Sequence, residues 1–280
     1  MPIPQKRHVF YVSDGTGVTA EMLGESLLAQ FPDLDYEVVR APFIDSEEKA
    51  RELHAQITAV SQASGYRPVV FTTLVKPEVV AVVRQGSALV IDLFGAFIKP
   101  LERELGQEST HSVGRFHGIR DPHGYHRRIE AINFALAHDD GIAQDHTLNE
   151  ADIILIGVSR SGKTPTSLYL AMTYTVKAAN YPLIPEDLDR MRLPDALRPH
   201  REKLFGLTIA PDRLAQIRSE RRPNSHYAEL DTCRRETELA LELMRREGIP
   251  WLDTTTKSIE EIAAVVMLHL EKIRRYAQCM

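Results

Sequence analysis

Eight residues, Gly157, Val158, Ser159, Arg160, Ser161, Gly162, Lys163 and Thr164, carry the sharpest chemical signal in the chain. They match G-x-x-x-x-G-K-[ST] at every fixed position, and an apolar run at 151–156 leads straight into them. The glycines let the backbone curl with its N–H groups pointing inward, forming a nest for an anion at a helix N-terminus. Lys163 supplies a mobile charge for terminal phosphates, and the Thr164 hydroxyl is a hard oxygen able to hold Mg2+. A chance match in a chain of this length has odds on the order of 1 in 100. The bland alternative, a glycine turn with no ligand, is disfavoured by the strand-like run before it and the helical pattern after it.

Several nucleotide chemistries remain open at this point. No N-K-x-D guanine-reading signature occurs, and no downstream apolar run ends in Asp-Glu as it does in ATPase motors. The closing pattern IPWLDTTTKSIEEIA, a strand, a Thr-rich turn and an acid-started helix, tilts the reading toward phosphotransfer. Transfer to a hydroxyl needs a group that orients the nucleophile or accepts its proton, and the loop contains no carboxylate. Asp139 and Asp140, in HDDG, are the candidates, set against a helix-ending turn closed by Gly141. One of them could instead hold Mg2+. Asp14, in SDGTG, and Asp92, at the end of ALVIDLF, compete from earlier in the chain. SDGTG reads either as a second backbone nest or as a plain turn, and Asp92 either as a metal ligand or as a strand-end cap. Arg213, Arg218, Arg221 and Arg222 are either mobile cations for a transferred phosphoryl group or a solvated helix face. His111, His117, His123 and His126 lie among Arg115, Arg120, Arg127 and Arg128. Their spacing is too loose for a metal and better suits an anion-recognition surface.

The elements that must position these groups alternate. Strand-like runs at 8–13, 36–43, 68–74 and 87–94 interleave with helical patterns at 18–31, 46–64 and 76–85, with Ser46 as a plausible N-cap. Such alternation predicts a mostly parallel sheet covered on both faces. Residues 1–106 form an N-terminal α/β domain on this reading. Residues 107–150 form a connection, with an irregular Gly, His and Arg-rich stretch to 127 and a helix at 127–139. Residues 151–280 form a P-loop kinase-like α/β domain. Its strands fall at 152–159, 203–209 and 249–255, its first helix at 162–178, and a long Arg-rich helical stretch at 211–247. In the last helix Ser258 and Glu261 make a capping box. No internal sequence repeat is visible.

Bulk properties narrow the setting. The 280 residues are 43% apolar with a formal net charge of −5 and a pI near 6.1, so nothing calls for nucleic acid as a partner. Two distant cysteines, Cys233 and Cys279, point to a reducing compartment. No run of about 18 apolar residues implies a membrane span, and the N-terminus lacks a signal core. The expectation is a cytoplasmic protein; a homodimer stays open.

The words HVFYVSDGTGVTAE, AHDDG, GVSRSGKTPTSLYLA, KAANYPL, KLFGLTI and IPWLDTT together resemble the family of regulatory proteins of phosphoenolpyruvate synthase and pyruvate, phosphate dikinase, over nearly the whole chain. The resemblance implies a bifunctional enzyme. One activity is a serine/threonine kinase that uses ADP to phosphorylate a threonine of phosphoenolpyruvate synthase and inactivate it. The other is a phosphorylase, in which inorganic phosphate removes that group as pyrophosphate. It also implies that residues 157–164 are the nucleotide-binding motif. The alternatives are a P-loop kinase for a small metabolite and a nucleotide-sensing module without catalysis.

Overall fold

The computed structural model describes residues 6–110, 112, 122–139, 145–223 and 225–278, and the chain divides into two compact units, 1–120 and 121–280. Both are α/β units built on a parallel four-stranded sheet.

The first unit runs β1 (Arg7–Val12), α1 (Val18–Leu28), β2 (Tyr36–Ala41), α2 (Glu47–Ser64), β3 (Val69–Thr72), α3 (Pro77–Val83), β4 (Leu89–Asp92) and α4 (Leu93–Leu105), with strand order β2-β1-β3-β4. Successive residues of β1 are buried on opposite faces. Phe10 and Val12 pack with Leu53 and Ile57 of α2, whereas Val9 and Tyr11 pack with Ala20 and Leu28 of α1. Burial on both faces is why the strand reads as an unbroken apolar run. Ser46 caps α2, accepting from the Lys49 N–H at 3.4 Å. Asp92 caps α4 through the Gly95 N–H at 2.8 Å and pairs with Arg84 at 2.8 Å, as a strand-end cap would. The sequence pattern assigns no helix to 95–105, because Gly95 and Pro100 interrupt the segment; α4 nevertheless spans it.

The second unit comprises α5 (Pro122–Ala137), β5 (Ile153–Gly157), α6 (Lys163–Tyr174), β6 (Ala178–Pro182), α7 (Pro185–Arg190), β7 (Leu204–Thr208), α8 (Pro211–Arg221), α9 (Leu230–Arg246), β8 (Trp251–Asp253) and α10 (Ile259–Gln278). Its order, β6-β5-β7-β8, repeats that of the first unit although no sequence repeat accompanies it. Ile153 to Ile156 are wholly buried. Ile154 and Ile156 pack toward Leu214, Leu243 and Met244 of α8 and α9. Ile153 and Leu155 pack toward Leu170 of α6 and Ile262 and Val266 of α10. Ala131 and Ala135 bring α5 onto Ala171 of α6, so the helix expected at 127–139 starts earlier and packs in this unit.

Two boundaries differ from the sequence pattern, and one cap agrees with it. Helix α6 stops at Tyr174 because Thr175 is left-handed (φ 57°), which frees 178–182 to form β6. The stretch 211–247 is two helices, broken where Pro223 denies the turn a donor. The Ser258–Glu261 capping box forms at 2.8 and 3.2 Å.

In each unit the chain leaves the first strand toward one neighbour and returns to the other side for the third. The crevice beyond the carboxyl ends of those two strands is where open α/β sheets hold ligands. The loop 157–164 occupies that position in the second unit, between β5 and β7. In the first unit Asp14 occupies it, accepting the Val75 N–H at 2.9 Å and so stitching the β1 and β3 loops together.

Candidate functional site

The loop's shape follows from its two glycines. Gly157 has φ 151°, and a Cβ there would lie 2.2 Å from the Leu207 carbonyl oxygen of the neighbouring strand. Gly162 has φ 91° and forms the N-cap of α6. Arg160 is also left-handed (φ 75°), an unusual conformation for a residue with a side chain. The result is a tight curl that ends on a helix N-terminus, whose first N–H groups have no partner within the helix and favour an anion. Lys163 is 4% exposed, and its ammonium donates to the Val158 carbonyl at 2.8 Å. The Ser161 hydroxyl oxygen is buried without a hydrogen-bond partner. A polar atom left so inside an anion nest suits an oxyanion ligand.

Asp139 lies against the loop. The Thr164 hydroxyl donates to Asp139 Oδ1 at 2.7 Å, and Asn180 Nδ2 reaches the same carboxylate oxygen at 2.5 Å and Thr164 Oγ1 at 2.9 Å. Asn180 is 2% exposed on β6. Its backbone N–H donates to the His138 carbonyl at 3.0 Å, which ties the turn after α5 to the sheet. The buried His138 ring spans Phe134 O at 2.8 Å and Thr147 Oγ1 at 2.7 Å and stacks on the Phe134 ring. A rigid frame therefore delivers Asp139 across 25 residues of sequence to Thr164.

The Thr164 and Asp139 oxygens fit Mg2+. Hydroxyl and carboxylate oxygens are the donor type this ion takes, with water and phosphate completing the shell. Among the described residues no group of three or more His, Cys, Asp or Glu could hold a metal by itself.

The far side of the loop is braced from α8 and α9. Arg218 is completely buried. Its guanidinium donates to the Ser159 carbonyl at 3.2 Å, the Tyr227 carbonyl at 3.0 Å and Glu236 at 2.6 Å, and lies 4.0 Å over the Tyr227 ring. Tyr227 in turn donates its hydroxyl proton to Ser159 Oγ at 2.7 Å. The Thr254 hydroxyl closes the third side on Ser161 O at 3.2 Å.

The expected residues sort as follows. Residues 157–164 form one loop, with Asp139 on it. Asp140 lies outside the described residues, as do His111, Arg115, His117, Arg120 and the side chain of His123. His126, Arg127 and Arg128 are exposed on α5. Of the arginine cluster, Arg218 is a fixed brace and not a mobile cation; Arg213 bonds Gln216, and Arg221 and Arg222 are exposed. Asp14 and Asp92 belong to the first unit, where both are engaged by backbone N–H groups. Sequence reasoning missed Asn180, Tyr227, Glu236 and Thr254. None of them carried a local signal: Asn180 lies on β6, which the sequence pattern did not mark as a strand.

A parallel sheet whose first strand turns through a glycine-rich loop into a helix bearing Lys163 and Thr164, with a carboxylate on that threonine, is a kinase-like α/β arrangement. The kinase/pyrophosphorylase family model matches residues 9–267, and the chain belongs to that family. It is 64% identical over 261 residues to a protein of Azoarcus sp. (strain BH72) provisionally named phosphoenolpyruvate synthase regulatory protein, covering 93% of this chain and 94% of the relative. Similarly named proteins of Bordetella parapertussis (55% over 264 residues; 94% and 96% covered) and Herminiimonas arsenicoxydans (54% over 272 residues; 97% and 96%) are also similar. Among the described residues, no helix is long and apolar enough to cross a membrane.

Proposed function

We propose that the chain is an ADP-dependent protein serine/threonine kinase and phosphate-dependent phosphorylase, acting on phosphoenolpyruvate synthase in the cytoplasm. The observation that carries this reading is the 157–164 loop with Asp139 seated on Thr164. Membership of the kinase/pyrophosphorylase family and the names of the relatives support it.

In the forward reaction the loop N–H groups and Lys163 hold the β-phosphoryl group of ADP. The acceptor threonine oxygen forms the new P–O bond, the bond to the α-phosphate oxygen breaks, and AMP leaves. Asp139, with Asp140 beside it in sequence, orients the hydroxyl and takes its proton. Thr164 would hold Mg2+, which would supply neutralising charge for the phosphate oxygens. In the return direction orthophosphate attacks the phosphothreonine phosphorus and departs as pyrophosphate, leaving the threonine hydroxyl. Both directions bring two phosphate anions together. One nest of N–H donors with a lysine serves both, because the charge to be stabilised has the same place.

Lys163→Ala is the test. Loss of ADP-driven phosphorylation and of phosphate-driven pyrophosphate release together is the expected result. A variant that keeps near wild-type phosphorolysis would require a second phosphate site.

A further inference from the structure

Beside the loop, on the Ser159 side, a cleft of about 600 Å3 opens between α7 and α9. It shares two wall residues with the loop's brace: Tyr227, bonded to Ser159, and Glu236, bonded to Arg218. Leu188 and Leu239 give it an apolar lining, whereas Asp189, Glu229 and Asp231 are exposed along it. With Glu236, four carboxylates face one guanidinium, Arg235, and one imidazole, His226. Arg235 lies 2.8 Å from Asp189 and His226 lies 2.5 Å from Glu229; Arg234 approaches Asp231 at 3.5 Å. Buried Arg218 is committed to Glu236. With the His226 ring counted as neutral, four carboxylates stand against three guanidiniums.

Arg235 and His226 are each already on a carboxylate, so this lining offers phosphate little, and the nucleotide's charged part belongs to the loop next door. It attracts a peptide segment that carries aliphatic and basic side chains together. We infer that the α7–α9 cleft docks such a segment of the acceptor protein and sets its hydroxyl residue at the mouth of the glycine-rich loop. This rests on the kinase reading above. Because Tyr227 and Glu236 belong to both cleft wall and brace, a seated segment bears on Ser159 through two hydrogen-bonded routes.

The test uses the full chain with the exposed pair Glu229→Lys and Asp231→Lys combined, and with the milder Glu229→Gln and Asp231→Asn pair in case reversal at the start of α9 impairs folding. Initial rates against synthase concentration should show KM for the protein rising about tenfold in the reversed pair and less in the neutral pair. The kcat and the ADP dissociation constant should stay within about twofold, because the charges lie off the phosphate loop. An unchanged KM overturns the docking assignment and leaves the kinase reading intact. A fall in ADP affinity also overturns it, and makes the cleft a nucleoside subsite. If the wild-type chain transfers no phosphate to the synthase, the kinase reading fails. Docking is then judged by direct binding of that synthase. Weaker binding to the variants upholds it, and no binding or equal binding overturns it.

Discussion

Arg218→Met isolates the brace behind the loop. The substitution keeps an unbranched chain of similar reach and deletes a guanidinium that is completely buried, with three oxygen partners at 2.6–3.2 Å and a ring 4.0 Å away. What remains is the Glu236 carboxylate, whose side chain is 16% exposed, without its cation, and two carbonyls short of a donor. Breaking one partner of a buried pair costs roughly 3–5 kcal/mol, because the surviving charge stays desolvated. For a unit of this size that corresponds to a fall in Tm of about 6–20 °C. Trp251, the only tryptophan, lies on β8 of the same unit and reports its unfolding by fluorescence in urea. The double variant Arg218→Met with Glu236→Leu should recover at least about half the loss, since apolar replacement of both partners is often near neutral. Nucleotide affinity should fall in both, because Ser159 loses its anchor. A single-variant loss under about 1 kcal/mol, or a double variant no more stable than the single, would refute the claim that this ion pair holds the loop.

Three further outcomes follow from particular contacts. Gly157→Ala puts a methyl 2.2 Å from the Leu207 carbonyl oxygen at φ 151°. It should destabilise the second unit by about 2–4 kcal/mol in urea and abolish ADP binding measured by calorimetry; wild-type binding would mean that the curl is not required. Asp139→Asn should lose on the order of 10²–10⁴ in transfer rate in single-turnover assays with ADP affinity little changed; full rates would reduce Asp139 to a loop buttress. Burial pushes the Asp14 carboxyl above its ordinary value of 3.8, against the pull of the Val75 N–H. The folded chain therefore binds that proton more tightly than the unfolded chain, and stability is lost as pH rises through the folded value. Asp14→Asn keeps an acceptor for Val75 and removes the ionisation. Its urea midpoint, followed by circular dichroism, should fall less steeply than wild type as pH rises above about 4; parallel curves would contradict this.

Much of the architecture was legible because burial on both faces writes strands such as β1 and β5 as plain apolar runs, and caps such as Ser46 and Ser258 mark helix starts locally. Helix α4 was hidden by Gly95 and Pro100, and β6 by its Ala-Ala-Asn composition, since its burial comes from neighbours that only the fold supplies. The same division holds at the site. The loop 157–164 is contiguous and fixed by local backbone demands, so its residue types announce it. The Asp139–Thr164–Asn180 contact joins three separate elements and depends on sheet order, with β6 beside β5, which no local pattern encodes. Arg218 looked like one charge among several because solvated and buried arginines share the same letter; only packing on Tyr227 and Glu236 separates it.

The most direct measurement of the central claim follows the phosphoryl group itself. ADP labelled on its β-phosphate is incubated with Mg2+, purified phosphoenolpyruvate synthase and the chain, and the label is located by mass spectrometry after digestion. The account predicts label on a synthase threonine with AMP formed in equal amount, and its release as labelled pyrophosphate when orthophosphate is added. Label that reaches the synthase only from ATP, or that goes from ADP to a small metabolite and not to the protein, would contradict it.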